Sequence, residues 1–200
     1  MISEEYSAGL MSQSFWFVEF KKYLKLLREG KTPDEIKDLI IAGNLFGAPN
    51  ENRARRIYGY ISNRVALLND QGVDLFFSSD LNTQKLLNLI CIIRGDRLFF
   101  EFLNEVYREK NILGLEYLEL SDAKIFFTEK ERQSDAVSNW NDTTKRKLQS
   151  GYFNFMNDAN LLSIDQNKKR ITPPILDIAL ERYLEANNET AIIKAITGVY

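Results

Sequence analysis

The sequence has 200 residues, of which 44% are hydrophobic and 27% are charged, as in an ordinary soluble globular protein. Its 26 Lys and Arg residues are outnumbered by 28 Asp and Glu residues, so the net charge of −2 excludes a protein that attracts nucleic acid through its overall charge. Any surface that binds an acidic partner must therefore be local.

The N-terminal residues, MISEEYSAG, carry acids where a signal peptide has a basic region and an apolar core. The longest apolar stretch, residues 86–93, is far too short to span a bilayer. It contains the single cysteine, Cys91, which favours a buried thiol in a reducing compartment over a disulfide framework. We therefore expect a cytoplasmic protein.

The first two predicted helices have clear start and stop signals. Residues 12–29 are amphipathic and aromatic-rich, and they stop at Gly30, a residue suited to a left-handed cap. The segment Thr32-Pro33-Asp34-Glu35 is a capping box with proline in the first turn. It predicts a short helix that ends near Gly43, followed by a turn.

The third predicted helix, residues 51–68, starts after Asn50, whose side chain suits an N-cap. Its apolar face consists of Ala54, Ile57, Tyr58, Ile61, Val65 and Leu68. An adjacent, mostly basic face consists of Arg53, Arg56, Tyr60, Asn63 and Arg64. A short helix, a tight turn and a basic second helix indicate a helix-turn-helix unit. The alternative is an antiparallel helix pair whose arginines are only solvated.

The sequence in the middle of the chain predicts helices that serve as the structural scaffold. Residues 81–94 and 97–110 form two strongly apolar helices, with Gly95 ending the first and Asp96 capping the second. The second helix is apolar on most of its surface and is therefore expected at the centre of the core.

A second unit is predicted towards the C-terminus. Ser121 starts a supporting helix over residues 122–131, residues 134–140 form a short middle helix, and a third helix starts near Asp142. The apolar face of the third helix consists of Leu148, Tyr152, Phe155, Met156 and Ala159. The opposite face consists of Thr143, Arg146, Lys147, Ser150 and Asn154.

A hairpin is predicted after this helix. Residues 161–164 and 170–172 are strand-like, and residues 165–169 have the polar composition of a loop. Basic residues then lie on both the helix and the hairpin, which is the outline of a winged helix-turn-helix that neutralises phosphates. The alternative is that the KRK and KKR runs are ordinary solvated charges.

Two closing helices, residues 175–186 and 190–197, follow the break at Pro173 and Pro174. The predicted fold class is therefore mainly α, a globular helical bundle with two helix-turn-helix-like units, the second with a small β wing. We divide the chain into an N-terminal region, residues 1–115, and a C-terminal region, residues 116–200, and expect the two regions to form one compact body.

Enzymatic chemistry has little support. The sequence has no histidine, the commonest general base and metal ligand, and neither GxxxxGK[ST] nor GxGxxG occurs. One cysteine leaves only carboxylates to complete a metal site, which is unusual for structural zinc. We expect a protein that is not an enzyme and has no metal or cofactor.

Four segments resemble the BrxA family, small proteins of the BREX bacteriophage-exclusion systems. They are residues 6–20 (YSAGLMSQSFWFVEF), 86–110 (LLNLICIIRGDRLFFEFLNEVYREK), 126–162 (with Trp140 ahead of TTKRKL) and 171–177 (ITPPILD). The resemblance implies an all-helical protein with two helix-turn-helix units that binds double-stranded DNA. It also implies action beside a DNA methyltransferase and other BREX proteins, with no catalytic residues.

The resemblance implies that both basic regions of this sequence bind DNA. The candidate residues, with Tyr60 added from the helix pattern, are Arg53, Arg55, Arg56, Tyr60, Arg64, Thr143, Thr144, Lys145, Arg146, Lys147, Lys168, Lys169 and Arg170. The competing functions are a protein-interaction adaptor whose basic residues only keep it soluble, and an RNA-binding helical bundle. We favour a monomer.

Overall fold

Helices account for most of the computed structural model, which describes residues 2–198. A 3-10 turn, Gly9–Ser12, precedes α1 (Phe17–Arg28), α2 (Pro33–Ile41), α3 (Glu51–Val65), α4 (Asp70–Ser78) and α5 (Leu81–Gly95). Then come α6 (Arg97–Phe102), a π-helical turn (Leu103–Tyr107), α7 (Arg108–Ile112), α8 (Leu120–Gln133), α9 (Asp135–Ser138), α10 (Asp142–Asp158), α11 (Ile178–Ala186) and α12 (Thr190–Thr197). The mainly α fold class is confirmed.

A small antiparallel sheet joins the second basic region to the centre of the chain. Its strands are β1 (Tyr117–Leu118), β2 (Leu162–Asp165) and β3 (Lys168–Ile171), in the order β1-β3-β2. Gln166 and Asn167 have φ of 47° and 63° and form a two-residue hairpin turn. The predicted loop over residues 165–169 is therefore too long, since Lys168 and Lys169 lie in β3. Strand β1 was not predicted.

The first helix starts later than predicted. The backbone of Trp16 has φ 45°, in the left-handed region, so the chain breaks after the 3-10 turn and α1 begins at Phe17. The stop at Gly30 is confirmed by its φ of 82°, and the Thr32–Glu35 capping box is present. Local capping signals thus located the helix ends better than amphipathic periodicity did.

The segment after α3 contains a helix that periodicity did not reveal. Helix α3 ends at Val65, and Asn69 accepts a hydrogen bond from the amide of Gly72 to start α4. Further on, Asp96 caps α6 by accepting from the amide of Phe99, as predicted. Burial raises the pKa of Asp96 to about 7, although the backbone hydrogen bonds oppose that shift.

The core is built around α6 and the π-helical turn, which confirms the predicted central helix. The rings of Phe99 and Phe102 lie with their centres 4.8 and 5.4 Å from that of Tyr152 on α10. Phe127 of α8 packs on the same tyrosine from another side, at 5.9 Å. This buried aromatic cluster holds α10 by its apolar face, so that its polar face points to solvent.

The C-terminal helices close the other end of the core. Helix α11 begins at Ile178 with Asp177 as its N-cap, three residues later than predicted, and α12 has the predicted bounds. Cys91 is buried, as expected, and burial raises its pKa to about 12. Within residues 2–198, every helix is too short or too polar to cross a bilayer.

Candidate functional site

The basic face of α3 carries a stack of three side chains. The guanidinium of Arg53 lies 5.5 Å from the ring centre of Trp16, which itself stacks on Tyr60 at 5.7 Å with 20° between the rings. The Tyr60 hydroxyl is 2.6 Å from the Ser12 hydroxyl. Trp16 was not among the predicted site residues, because it precedes α1 and only the folded chain brings it to α3.

Two other arginines of α3 are exposed but differ in their surroundings. Arg55 is bonded to the carboxylate of Glu51, one helical turn earlier. Arg56 is exposed, and no acidic side chain among residues 2–198 forms an ion pair with it. Arg56 is thus the arginine of this face best placed to meet an anionic ligand.

Arg64 is a structural residue, and its prediction as part of the exposed basic face is wrong. It is 4% exposed. One of its terminal nitrogens donates to the Phe15 carbonyl (2.6 Å) and to Asn88 Oδ1 (3.1 Å), and the other to Gln13 Oε1 (3.1 Å) and the Ser14 carbonyl (3.2 Å). Burial lowers its pKa to about 10, so it stays charged at neutral pH.

The polar face of α10 lies in solvent, as predicted. Its residues Thr143, Arg146, Lys147, Ser150 and Asn154 are all exposed. Asn141 caps the helix by accepting from the amide of Thr144. No ion pair within residues 2–198 involves Arg146 or Lys147. These two cations are therefore available to an anionic partner.

Lys145 is less available than its neighbours in sequence. Its side chain is 14% exposed and its ammonium lies 2.8 Å from a carboxylate oxygen of Glu131 on α8. Both observations indicate that Lys145 ties α10 to α8. A negatively charged ligand would have to compete with Glu131 for it.

The hairpin divides its three cations between its two faces. Lys169 pairs with Ile164 in the β2–β3 register, and its ammonium lies 5.6 Å from the ring centre of Phe153 on α10. On the opposite face, the ammonium of Lys168 lies 5.2 Å from the ring centre of Tyr117. Arg170 on that face contacts Glu116 at 3.2 Å and Asp165 at 3.6 Å.

Helix α10 exposes Arg146 and Lys147, and the hairpin contacts this helix through Lys169; we call these three residues the α10–hairpin surface. Phe153 follows Arg146 by seven residues, about two turns, so it lies on nearly the same side of the helix. Phe153 is buried, and Lys169, whose ammonium lies over its ring, is a hairpin cation that contacts α10. Arg170 and Lys168 lie on the opposite face of the hairpin.

Over the part of the chain that the structure describes, no three acidic or cysteine side chains are grouped to hold a metal ion. The surfaces of interest carry cations, hydroxyls and aromatic rings, which suit a polyanion.

Comparisons with known proteins identify the family. A sequence model of the BrxA family matches residues 4–188. The BREX protein BrxA of Bacillus cereus (strain H3081.97) is 32% identical over 199 residues, which cover 99% of this chain and all of the relative. An uncharacterized protein from Magnetospirillum magneticum, known from its crystal structure, has the same fold. Its TM-score is 0.82 with 19% identity, over 97% of this chain and 99% of that one. The chain therefore belongs to the BrxA family, whose proteins act in BREX phage defence.

Proposed function

We propose that this protein is a non-enzymatic DNA-binding component of its BREX system, which contacts the phosphates of double-stranded DNA. The observation that carries the proposal is the α10–hairpin surface, where Arg146 and Lys147 are exposed without an ion-pair partner among residues 2–198. Phosphate neutralisation is the main source of affinity for duplex DNA, and it requires cations that are not already neutralised.

The local architecture supports the same proposal. Helices α8, α9 and α10 are followed by the β2–β3 hairpin, an order that suits a winged helix-turn-helix with α10 as the helix nearest the groove. The exposed hydroxyls of Thr143 and Ser150 and the amide of Asn154 lie on the same face as the two cations. Such short polar groups can bond to phosphates or base edges.

The basic face of α3 is proposed as a second, weaker contact. Arg56 is exposed there, and Arg53 is held against Trp16. Because the cations outnumber the outward-facing amides on both surfaces, we expect binding with little sequence preference. The protein would then recognise duplex DNA in general while other BREX proteins, including a DNA methyltransferase, supply sequence specificity.

The test is a titration of a labelled duplex at several salt concentrations. The logarithm of the binding constant should fall linearly with the logarithm of salt concentration, with a slope of about 0.9 per phosphate neutralised. Affinity that does not change with salt, or no binding at low salt, would exclude this function. The same titration with duplex RNA distinguishes a DNA protein from an RNA protein.

An adaptor role is the second candidate, and one observation favours it. Ile175 is 99% exposed and Ile178 is 65% exposed, beside a groove of about 570 Å³ that Pro173 and Pro174 line. Exposed apolar side chains beside a groove are typical of protein docking. Replacing Ile175 and Ile178 with serine should leave DNA affinity unchanged but should weaken phage exclusion in cells if this surface docks another BREX protein.

A further inference from the structure

A cavity of about 200 Å³ opens beside the C-terminal half of α3. It lies between α3, the end of α5 and the 3-10 turn. Its lining includes Leu10, Gln13, Tyr60, Asn63, Leu67 and Gly95. Apolar side chains, two amides and the buried Arg64 thus surround a space next to an aromatic ring.

Trp16 stacks on one face of the Tyr60 ring, and Tyr60 also lines the cavity. Arg53 and Tyr60 are seven residues apart on α3, or about 10.5 Å along the helix. Trp16 lies 5.5 Å from the Arg53 guanidinium and 5.7 Å from Tyr60, so it fits between them. The other face of Tyr60 is therefore directed towards the C-terminal end of α3, where Asn63 and Leu67 line the cavity.

The stack is held rigidly before any ligand arrives. Trp16 has φ 45°, an unfavourable backbone conformation for a tryptophan, which persists only where the surroundings hold it. Here the preceding carbonyl, that of Phe15, accepts hydrogen bonds from both Arg64 and Asn88. The Ser12 hydroxyl also contacts Tyr60, at 2.6 Å. A preorganised ring stack loses little entropy when another ring is added to it.

The polar groups of the cavity suit a planar ligand with donors and acceptors. The amide oxygen of Gln13 accepts from Arg64, while its amide nitrogen donates to no group among residues 2–198. The amide of Asn63 is exposed, and no other residue in that range hydrogen-bonds to it. Leu10 and Leu67 supply apolar walls. Amides that read the edge of a ring, with stacking on its face, are how proteins hold an unstacked nucleobase.

We propose that this cavity receives one unpaired nucleobase of bound DNA, which stacks on the cavity face of Tyr60 and pairs with the amides of Gln13 and Asn63. The inference rests on the proposed function, since the base arrives as part of a DNA molecule. It goes beyond phosphate binding because it predicts a preference for DNA with a locally unpaired base, such as a bulge.

The test compares two labelled duplexes that differ only by one extra, unpaired thymine. The bulged duplex should bind at least about fivefold more tightly, as expected from one base–aromatic stack. Gly95→Met should remove this preference by filling the cavity, while affinity for the fully paired duplex stays within about twofold. Steric room exists for the new side chain, because a Cβ at Gly95 meets only Leu67, at 3.4 Å. If the cavity had only a structural role, Gly95→Met would not lower the affinity for the bulged duplex while leaving the affinity for the paired duplex unchanged.

Substitutions of two tyrosines on α3 supply a matched control. Tyr60→Phe should keep the preference and Tyr60→Leu should lose it. Tyr58→Leu should keep it, because Tyr58 packs on Tyr23, at 6.0 Å between ring centres, and does not line the cavity. Circular dichroism and thermal unfolding confirm that each variant is folded.

A second readout locates the base directly. With 5-iodouracil at the bulge, irradiation should crosslink the DNA to Tyr60, as mapped by mass spectrometry, and Gly95→Met should abolish the crosslink.

Equal affinity for bulged and paired duplexes, together with no crosslink, would overturn the inference while leaving duplex binding intact. Failure of the paired duplex to bind at all would refute the proposed function, and with it this inference. If free thymidine at millimolar concentration displaces the bulged duplex as well as bulged competitor DNA does, the site is one for free nucleosides, and the proposal is wrong.

Discussion

The two basic regions look alike in sequence and differ in how their cations are used. On α3, Arg64 is buried, Arg55 is bonded to Glu51, and Arg53 lies over Trp16. On α10, by contrast, the basic residues Arg146 and Lys147 are exposed and form no ion pair within residues 2–198. The number of cations in a sequence segment therefore says little about how many can reach a phosphate.

Part of the difference has a local physical cause. On a helix, residues four apart are neighbours, and a glutamate at that spacing can form an ion pair with an arginine. Glu51 precedes Arg55 by four residues and pairs with it, whereas the residues four before and four after Lys147 are Thr143 and Gly151. Asp142 precedes Arg146 at the same spacing, but these two side chains form no ion pair. Lys147 therefore has no acidic neighbour on its own helix face. We expect α10 to contribute more to DNA affinity than α3.

The largest expected effect is on stability, at Arg64. Arg64→Ala removes four hydrogen bonds and leaves the Ser14 carbonyl without this donor, so unfolding free energy should fall by about 2 to 4 kcal/mol. Arg56→Ala, on the same helix, should change it by no more than about 0.5 kcal/mol. Urea unfolding of the two variants checks this contrast. If the Arg64→Ala protein has normal stability but no longer binds DNA, then Arg64 contacts DNA directly.

On α10, Arg146→Ala combined with Lys147→Ala should weaken duplex binding by at least about tenfold, because two phosphate contacts are lost. The salt slope should fall by about two units. The matched control is Lys124→Ala combined with Arg132→Ala, an exposed basic pair on α8. Wild-type affinity in the α10 pair, with circular dichroism confirming the fold, would remove α10 from the DNA surface.

A smaller loss is expected on α3. Arg53→Ala combined with Arg56→Ala should weaken binding only a few-fold and lower the salt slope by about one unit, because Arg56 is exposed whereas Arg53 is half-buried. Losing the contact of Arg53 with Trp16 should cost about 0.5 to 1 kcal/mol of stability. The losses of the two pairs should add when all four residues are replaced, as is usual for distant sites. A loss on α3 larger than that on α10 would reverse the comparison.

The smallest effects are expected where a carboxylate already neutralises the cation. Arg55→Ala and Arg170→Ala should each change duplex affinity by less than about twofold, since a guanidinium already paired with a carboxylate is not free to contact a phosphate. Lys147→Ala, measured in the same salt series, is the reference. If Arg170→Ala lowers the salt slope as much as Lys147→Ala does, then Arg170 leaves Glu116 and Asp165 to bind phosphate.

Much of the fold could be predicted from short-range chemistry. The Thr32–Glu35 capping box, the Asn50 cap of α3 and the spacing of the apolar face of α10 depend on neighbours within one or two turns, and all are confirmed. The helical spacing also indicates that Arg64 is buried. It follows Ile57 by seven residues, so the same periodicity places it on the buried side of α3.

By itself, then, the sequence determined the helices, their caps and the face that α10 exposes, because each depends on residues close together in the chain. Only the tertiary structure decided which cations are buried or are paired with another element. The pairing of Tyr117 with Arg170, the burial of Arg64 against Phe15 and the stacking of Trp16 on Tyr60 join residues far apart in sequence. Local periodicity does not specify the partners in such contacts, since they depend on how whole elements pack.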